Sequence, residues 1–282
     1  MRRITVAIVL TASAARLAAA AELRSDTLNA WNAYEKQADL RMQDRAAGRL
    51  SFLWLDESPE RAARVRRGDV VIAPVVGRGA EEVPHGLVHD WIGAIFIPGA
   101  TIDSLLAVVH DYDNYRQIYQ PVVTASNTLA CSATDQEFQM VWQHKVLFIT
   151  AAMQGRYQAH DLMLGAHRGY SIAEAVEVRE IESYRHPGER LLPPDTGNGF
   201  IWRIRSMARF EERDGGVYLE LEAIALTRDI PASLAWMVNP VVNHLSVSSL
   251  TTTLRQTRDA VVSSRGSAVT LATRRTPAQA SR

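Results

Sequence analysis

Alternation of apolar and polar residues is strongest between residues 199 and 227. In a first run Trp202, Ile204, Ala208 and Phe210 alternate with Arg203, Arg205 and Arg209; in a second, Leu219, Leu221 and Ala223 alternate with Tyr218, Glu220 and Glu222. This period of two predicts two β-strands, each with one apolar face. Between them, Arg213-Asp214-Gly215-Gly216 contains an Asp-Gly pair, which supplies the positive φ angles of a two-residue hairpin turn and sets Arg209 opposite Glu220. Downstream, Pro231 and Asn239-Pro240 are helix-start signals. They predict a short opening turn, a break, and a helix over residues 240–262 with an apolar stripe of Val247, Leu250, Leu254 and Val261.

Upstream, residues 87–97 form an apolar run that reads as a strand, and Thr101 caps a helix with Ile102, Leu105, Leu106 and Val109 on one face. Phe138, Met140, Trp142 and Val146 alternate with Gln139, Gln143 and Lys145 in a second strand, and residues 147–163 and 170–181 supply further strands. Residues 184–198, with Pro187, Pro193 and Pro194, form a loop long enough to act as a lid. Near the start, Ser25 or Asp26 caps an amphipathic helix that aligns Leu28, Trp31, Ala38 and Met42. An Arg-rich stretch, a β-like run from Val70 to Ala73 and a Gly- and Pro-containing linker over residues 78–86 follow.

Composition adds location and excludes partners. The 282 residues have a formal net charge of zero, but the first twenty residues and those from Ser263 onward hold only basic charges, leaving a net −7 on residues 21–262. An acidic body disfavours nucleic acid, whose phosphates require clustered Lys and Arg. Arg2 and Arg3, an apolar stretch and Ala18-Ala19-Ala20 read as a secretory signal, which places the protein in the periplasm or outside the cell. No later segment is long and apolar enough to span a bilayer. Cys131 is the only cysteine, so no intrachain disulfide forms. The division is therefore a signal over residues 1–20, an N-terminal extension with an amphipathic helix over 21–86, a main domain over 87–262, and a disordered basic tail over 263–282.

The run from Leu105 to Tyr115, the hairpin, and Asp229-Ile230-Pro231-Ala232-Ser233-Leu234 before the last helix resemble the START-like (SRPBCC) superfamily, which includes polyketide cyclases and lipid-transfer domains. The resemblance covers residues 87–262. It implies an α+β helix-grip fold, a curved antiparallel sheet wrapped around a long C-terminal helix, to which this chain adds its N-terminal helical extension. It also implies an apolar cavity between sheet and helix for a lipid, quinone or polyketide-like molecule.

Trp142, Trp202, Trp236 and Met237 are candidates to line that cavity, because such side chains supply apolar area; ordinary core packing explains them equally. Tyr112, with Tyr115 and Tyr119, reads as helix-end packing or as a ligand contact. Arg209 and Glu220, with Arg203, Arg205 and Glu222, form a charged stripe. It is either a solvated face of cross-strand ion pairs or a strip that holds a ligand head group. His85 and His89 have metal-ligand spacing only on a helix, which Pro84 and Gly86 argue against, and no cofactor is implied. Three functions stay open: a secreted binding protein for a hydrophobic small molecule; a cyclase or dehydratase using Glu220 or Glu222 with Arg209 or His144; and an envelope interaction module acting through the N-terminal helix or basic tail.

Overall fold

The structure, a computed structural model, describes residues 21–146, 149–230 and 232–274. The expected signal and the last eight residues of the tail lie outside them. In chain order the elements are β1 (Ala21–Glu22), α1 (Ser25–Ala46), α2 (Pro59–Arg66), β2 (Val71–Pro74), β3 (Ala80–Val83), β4 (Gly86–Pro98), α3 (Ile102–Val109), α4 (Tyr115–Ile118), β5 (Val123–Cys131), β6 (Asp135–Val146), β7 (Ile149–Met163), β8 (Arg168–Glu182), β9 (Arg190–Leu191), β10 (Thr196–Gly197), β11 (Arg203–Arg213), β12 (Gly216–Arg228) and α5 (Ala232–Arg274).

An open antiparallel sheet runs β2-β4-β12-β11-β8-β7-β6-β5, with β3 added beside β4 and β9 beside β8. Local chemistry explains its best-defined parts. Asp214 and Gly215 take φ of 56° and 77°, and the turn pairs Arg213 with Gly216 and Arg209 with Glu220, as the alternation predicts. Thr101 and Ser104 form a reciprocal cap at the start of α3.

One side of the sheet, the helix face, is covered by α3 and α5. Trp91, Ile95, Ile97, Phe210, Val217 and Leu219 meet Leu105, Leu250, Leu254 and Val261 there. Gly93 permits the close approach: a Cβ at that position would lie 2.4 Å from Ile72 and 2.7 Å from Leu254. The other side, the extension face, is covered by the N-terminal segment. Trp31, Ala38, Met42, Leu53, Leu55 and Val65 pack there on Val88, Phe96, Met207, Ile224 and Leu226. The extension is thus a second layer on the back of the sheet.

Several expectations differ from the observed elements. Residues 78–86 contain β3, which pairs with β4, so the sheet begins within the extension rather than at residue 87. The predicted break before Pro240 is absent. A proline holds φ near the helical value and forfeits one hydrogen bond, a loss that a long helix absorbs. The helix also passes residue 262 and reaches Arg274, so the first part of the segment read as disordered is helical. Its Ser, Thr and Ala residues carry no apolar stripe, but no proline stops the helix before Pro277. Arg24, not Ser25 or Asp26, occupies the N-cap of α1. Strand β5 escaped the pattern because its half-buried positions are Thr124, Ser126 and Thr128, while its exposed positions include Ala125 and Leu129, so no apolar alternation marks it.

Candidate ligand-binding site

On the helix face, at the β6 and β7 side of the sheet, four aromatic residues form a continuous row. Tyr112 stacks on Phe138 at 4.0 Å and 8°, Phe138 stacks on Tyr157 at 4.9 Å and 6°, and Trp142 follows Tyr157 at 6.0 Å. The row follows from register. Phe138 pairs with Tyr157 and Trp142 with Met153, and directly opposed residues of an antiparallel pair share a face. Gly155 leaves room for it, since a Cβ there would come within 2.7 Å of both the Trp142 and Tyr157 rings. Ala151, Met153, Ala175 and Val178 complete an apolar surface around the row.

A polar cluster lies at one end. Asp161, four residues beyond Tyr157 on β7, faces Ser171 across the β7 and β8 pair, and Gln136 pairs with neighbouring Ala159. His110, the C-cap of α3, places Nε2 2.8 Å from Asp161 Oδ2. Burial pushes the Asp161 carboxyl up, yet His110, Ser171 and Gln136 together hold it below its ordinary value. Gln136 Oε1, both Asp161 carboxylate oxygens, His110 Nε2 and the Tyr157 hydroxyl are buried without an aligned hydrogen bond, so His110 and Asp161 meet as an ion-pair contact. Burial raises the Tyr157 pKa, so the hydroxyl remains a proton donor at neutral pH. Buried polar groups without partners are uncommon, and these mark a polar end to the apolar row.

The expected site residues do not assemble as one group. Trp142 and Tyr112 stand in the aromatic row. Trp202 lies instead in the core beneath the extension, because residue 202 precedes β11 and its ring turns toward Gly199 and Arg228. Trp236 and Met237 belong to α5, in a stretch whose side chains lie outside the described residues.

Arg209 and Glu220 lie on the extension face. Neither solvent nor the helix face reaches them, as they are only 1% and 0% exposed. Arg209 donates to Glu220 at 3.0 Å and to Glu222 at 3.1 Å. Glu220 also accepts the backbone N–H groups of Trp54 and Leu55. From α1, Arg41 reaches Asp90 and Glu222, and Tyr34 donates to Asp90 at 2.7 Å. Burial, then the nearby Glu222, pushes Asp90 up to about 7. Arg205 is buried too, paired with Glu35, Asp39 and Glu174. The charged stripe, read as either a solvated face or a head-group strip, is instead the seam that fastens the extension. A period of two shows that polar residues share a face, but it cannot show that a segment 150 residues upstream covers that face.

Other readings resolve similarly. The loop taken as a lid is tied down. Its β9 pairs with β8, its β10 pairs with β1, and Glu180 accepts the backbone N–H groups of Asn198 and Phe200. His85 sits in a turn at φ 54° and His89 in β4, so the two are not one helical turn apart. Sequence reasoning missed His110, Gln136, Tyr157, Asp161 and Ser171. The available signal was Asp161 at even spacing from Tyr157 in a strand with an apolar face.

No protein-family model matches the chain, and no curated protein sequence matches it. Among solved structures it is similar to a STAR-related lipid transfer protein fragment from Xanthomonas axonopodis, at 20% identity over 68% of this chain and 98% of that one, with a TM-score of 0.43. It is also similar to human STARD10, at 12% identity over 67% of this chain and 75% of that one, with a TM-score of 0.41. A third likeness is to the Zhui aromatase/cyclase from a Streptomyces strain, at 16% identity over 62% of this chain and 96% of that one, with a TM-score of 0.38. On its own topology, the chain has an α+β helix-grip arrangement, an open antiparallel sheet with a long C-terminal helix against one face. No helix among the described residues is long and apolar enough to cross a membrane.

Proposed function

We propose that this protein is a secreted carrier that holds a hydrophobic small molecule, such as a lipid, quinone or polyketide-like compound, between the sheet and α5. The observation that supports this reading is the aromatic row from Tyr112 to Trp142, which ends at the His110 and Asp161 cluster. An apolar wall with a few convergent polar groups at one end suits a molecule with an apolar body and one hydrogen-bonding end. Secretion rests on the basic and apolar start, and N-terminal sequencing of protein from the native host tests it; retained Met1 to Ala20 overturns it.

The test of ligand binding is native mass spectrometry of the purified protein with organic extraction of its contents, together with titration of an apolar fluorescent probe. A co-purifying compound or saturable probe uptake by the folded chain is expected. A protein that emerges empty and takes up no probe overturns the reading.

A second reading, a cyclase or dehydratase, is favoured by the contact between His110 and Asp161. That pair, rather than Glu220 and Arg209, is then the acid-base set, because it alone lies on the helix face. Recovery of the extracted compound unchanged after incubation with the protein separates carriage from chemistry.

A further inference from the structure

We propose that a groove between α2, the end of β4 and α5 binds the phosphate of an anionic membrane lipid and docks the protein on a membrane surface. Arg66, Arg67, Phe96, Pro98, Arg258 and Val262 line this groove, whose volume is about 560 Å³. Its composition suits a lipid head group. Phe96 and Pro98 line it at the end of β4, and Arg66 and Arg67 at the end of α2 border it with Arg258 and Asp259 of α5.

Two of the rim charges, Arg66 and Arg67, are accessible. The Arg66 side chain is 64% exposed and touches Asp214 only at 3.5 Å, and Arg67 is exposed with no ion-pair partner among the described residues. Arg258 is held to the adjacent Asp259 at 3.1 Å. Beside them Val262 is exposed at 47%, an apolar contact beside the cationic rim. Guanidinium groups match phosphate geometry in pairs, and an apolar neighbour fits the glycerol and upper acyl region of a lipid.

Charge selects the partner. Beyond Asp259 the sequence holds no acidic residue and adds Arg265, Arg274, Arg275 and Arg282, so the charge of the groove and of the segment that follows it in sequence has one sign. The remainder of the chain is acidic, net −7 over residues 21–262, and repels an extended polyanion that would have to lie across it. A membrane meets the protein on one side and avoids that cost. A basic residue near an anionic surface contributes about 1 kcal/mol, or about fivefold in partitioning.

The experiment is co-sedimentation of the full chain with phosphatidylcholine vesicles, with and without phosphatidylglycerol. Binding is expected only to the anionic vesicles and should disappear at high salt. Arg67→Gln should weaken it about fivefold, and the triple variant Arg66→Gln, Arg67→Gln, Arg258→Gln on the order of a hundredfold, with unchanged thermal melts. A second full-length variant replaces the four tail arginines with Gln. If that variant abolishes binding while the groove triple does not, the tail alone docks and the groove proposal is overturned. Equal binding to both vesicle types, or binding to soluble heparin but not to anionic vesicles, also overturns it. None of these outcomes depends on whether the helix face carries a ligand.

Discussion

Phe210 and Leu219 are 1% and 4% exposed on the helix face, while Arg209 and Glu220, their immediate neighbours on the same hairpin, are 1% and 0% exposed on the extension face. The two faces achieve this burial differently. On the helix face, apolar side chains meet apolar side chains, and such contact has no direction, so a bound apolar molecule can replace part of it. On the extension face every charge needs named partners, and these come from Tyr34, Arg41, Trp54 and Leu55. Moving the extension would take from Asp90, Glu220 and Glu222 the donors that Tyr34, Arg41, Trp54 and Leu55 supply. The comparison shows why apolar contact on one face can be exchanged for other apolar contact, while the other face is a fixed structural seam.

The largest expected effect breaks that seam. Glu220→Ala leaves Arg209 buried with one partner fewer and removes the acceptor for two backbone N–H groups, so it should cost about 3–5 kcal/mol in urea unfolding. Faster hydrogen exchange over residues 52–57 should accompany the loss. Retained stability would mean that apolar contact alone holds the extension.

The two tryptophans test the comparison directly. Trp202→Ala should destabilise the protein by about 3–5 kcal/mol, because a large buried ring leaves a cavity, but it should not change probe affinity in the protein that remains folded. Trp142→Ala should weaken the probe. Titration of both variants decides the matter, and the opposite pattern moves the site to the extension face.

Arg205→Ala should cost about 2 kcal/mol in the same melts. It frees Glu35, Asp39 and Glu174 from their shared partner without stranding a fully buried cation. A change within about 0.5 kcal/mol, typical of exposed sites, would return this arginine to the solvated stripe that alternation suggests.

The last test is a pH dependence. Asp90 is pushed up to about 7 in the folded protein by burial and then by Glu222, whereas an unfolded Asp titrates near 3.8. The folded state therefore holds the proton more tightly, and the contribution of Asp90 falls as pH rises from about 4 to about 7, then stays flat. His89, held near 4 by burial, works in the opposite direction, losing stability as pH falls. Comparing wild type with Asp90→Asn cancels the histidine. The stability of wild type relative to the variant should decline from pH 4 to 7, and a flat difference across that window would show that Asp90 titrates normally.

Residues 199–227 announce their strands, turn and register because every cause is local. Alternation comes from the pleat, and the Asp-Gly pair supplies the positive φ angles. The stripe of α5 is equally legible, with Leu250, Leu254 and Val261 all buried. The candidate site is less so. Trp142 and Tyr112 can be picked out as large aromatics, but their shared row requires the pairing of β6 with β7, and Asp161 meets His110 only because α3 ends over that pair.

By itself, then, the sequence determined the strands of the hairpin, the strand through Phe138 and Trp142, and the stripe of α5, together with which of their side chains share a face, since those properties repeat over two or four residues. The tertiary structure alone decided what covers each face. The extension seals the charged side, the long helix covers the apolar side, and Trp202 falls under the first rather than the second. Coverage depends on contacts between segments far apart in the chain, and a local pattern holds no record of them.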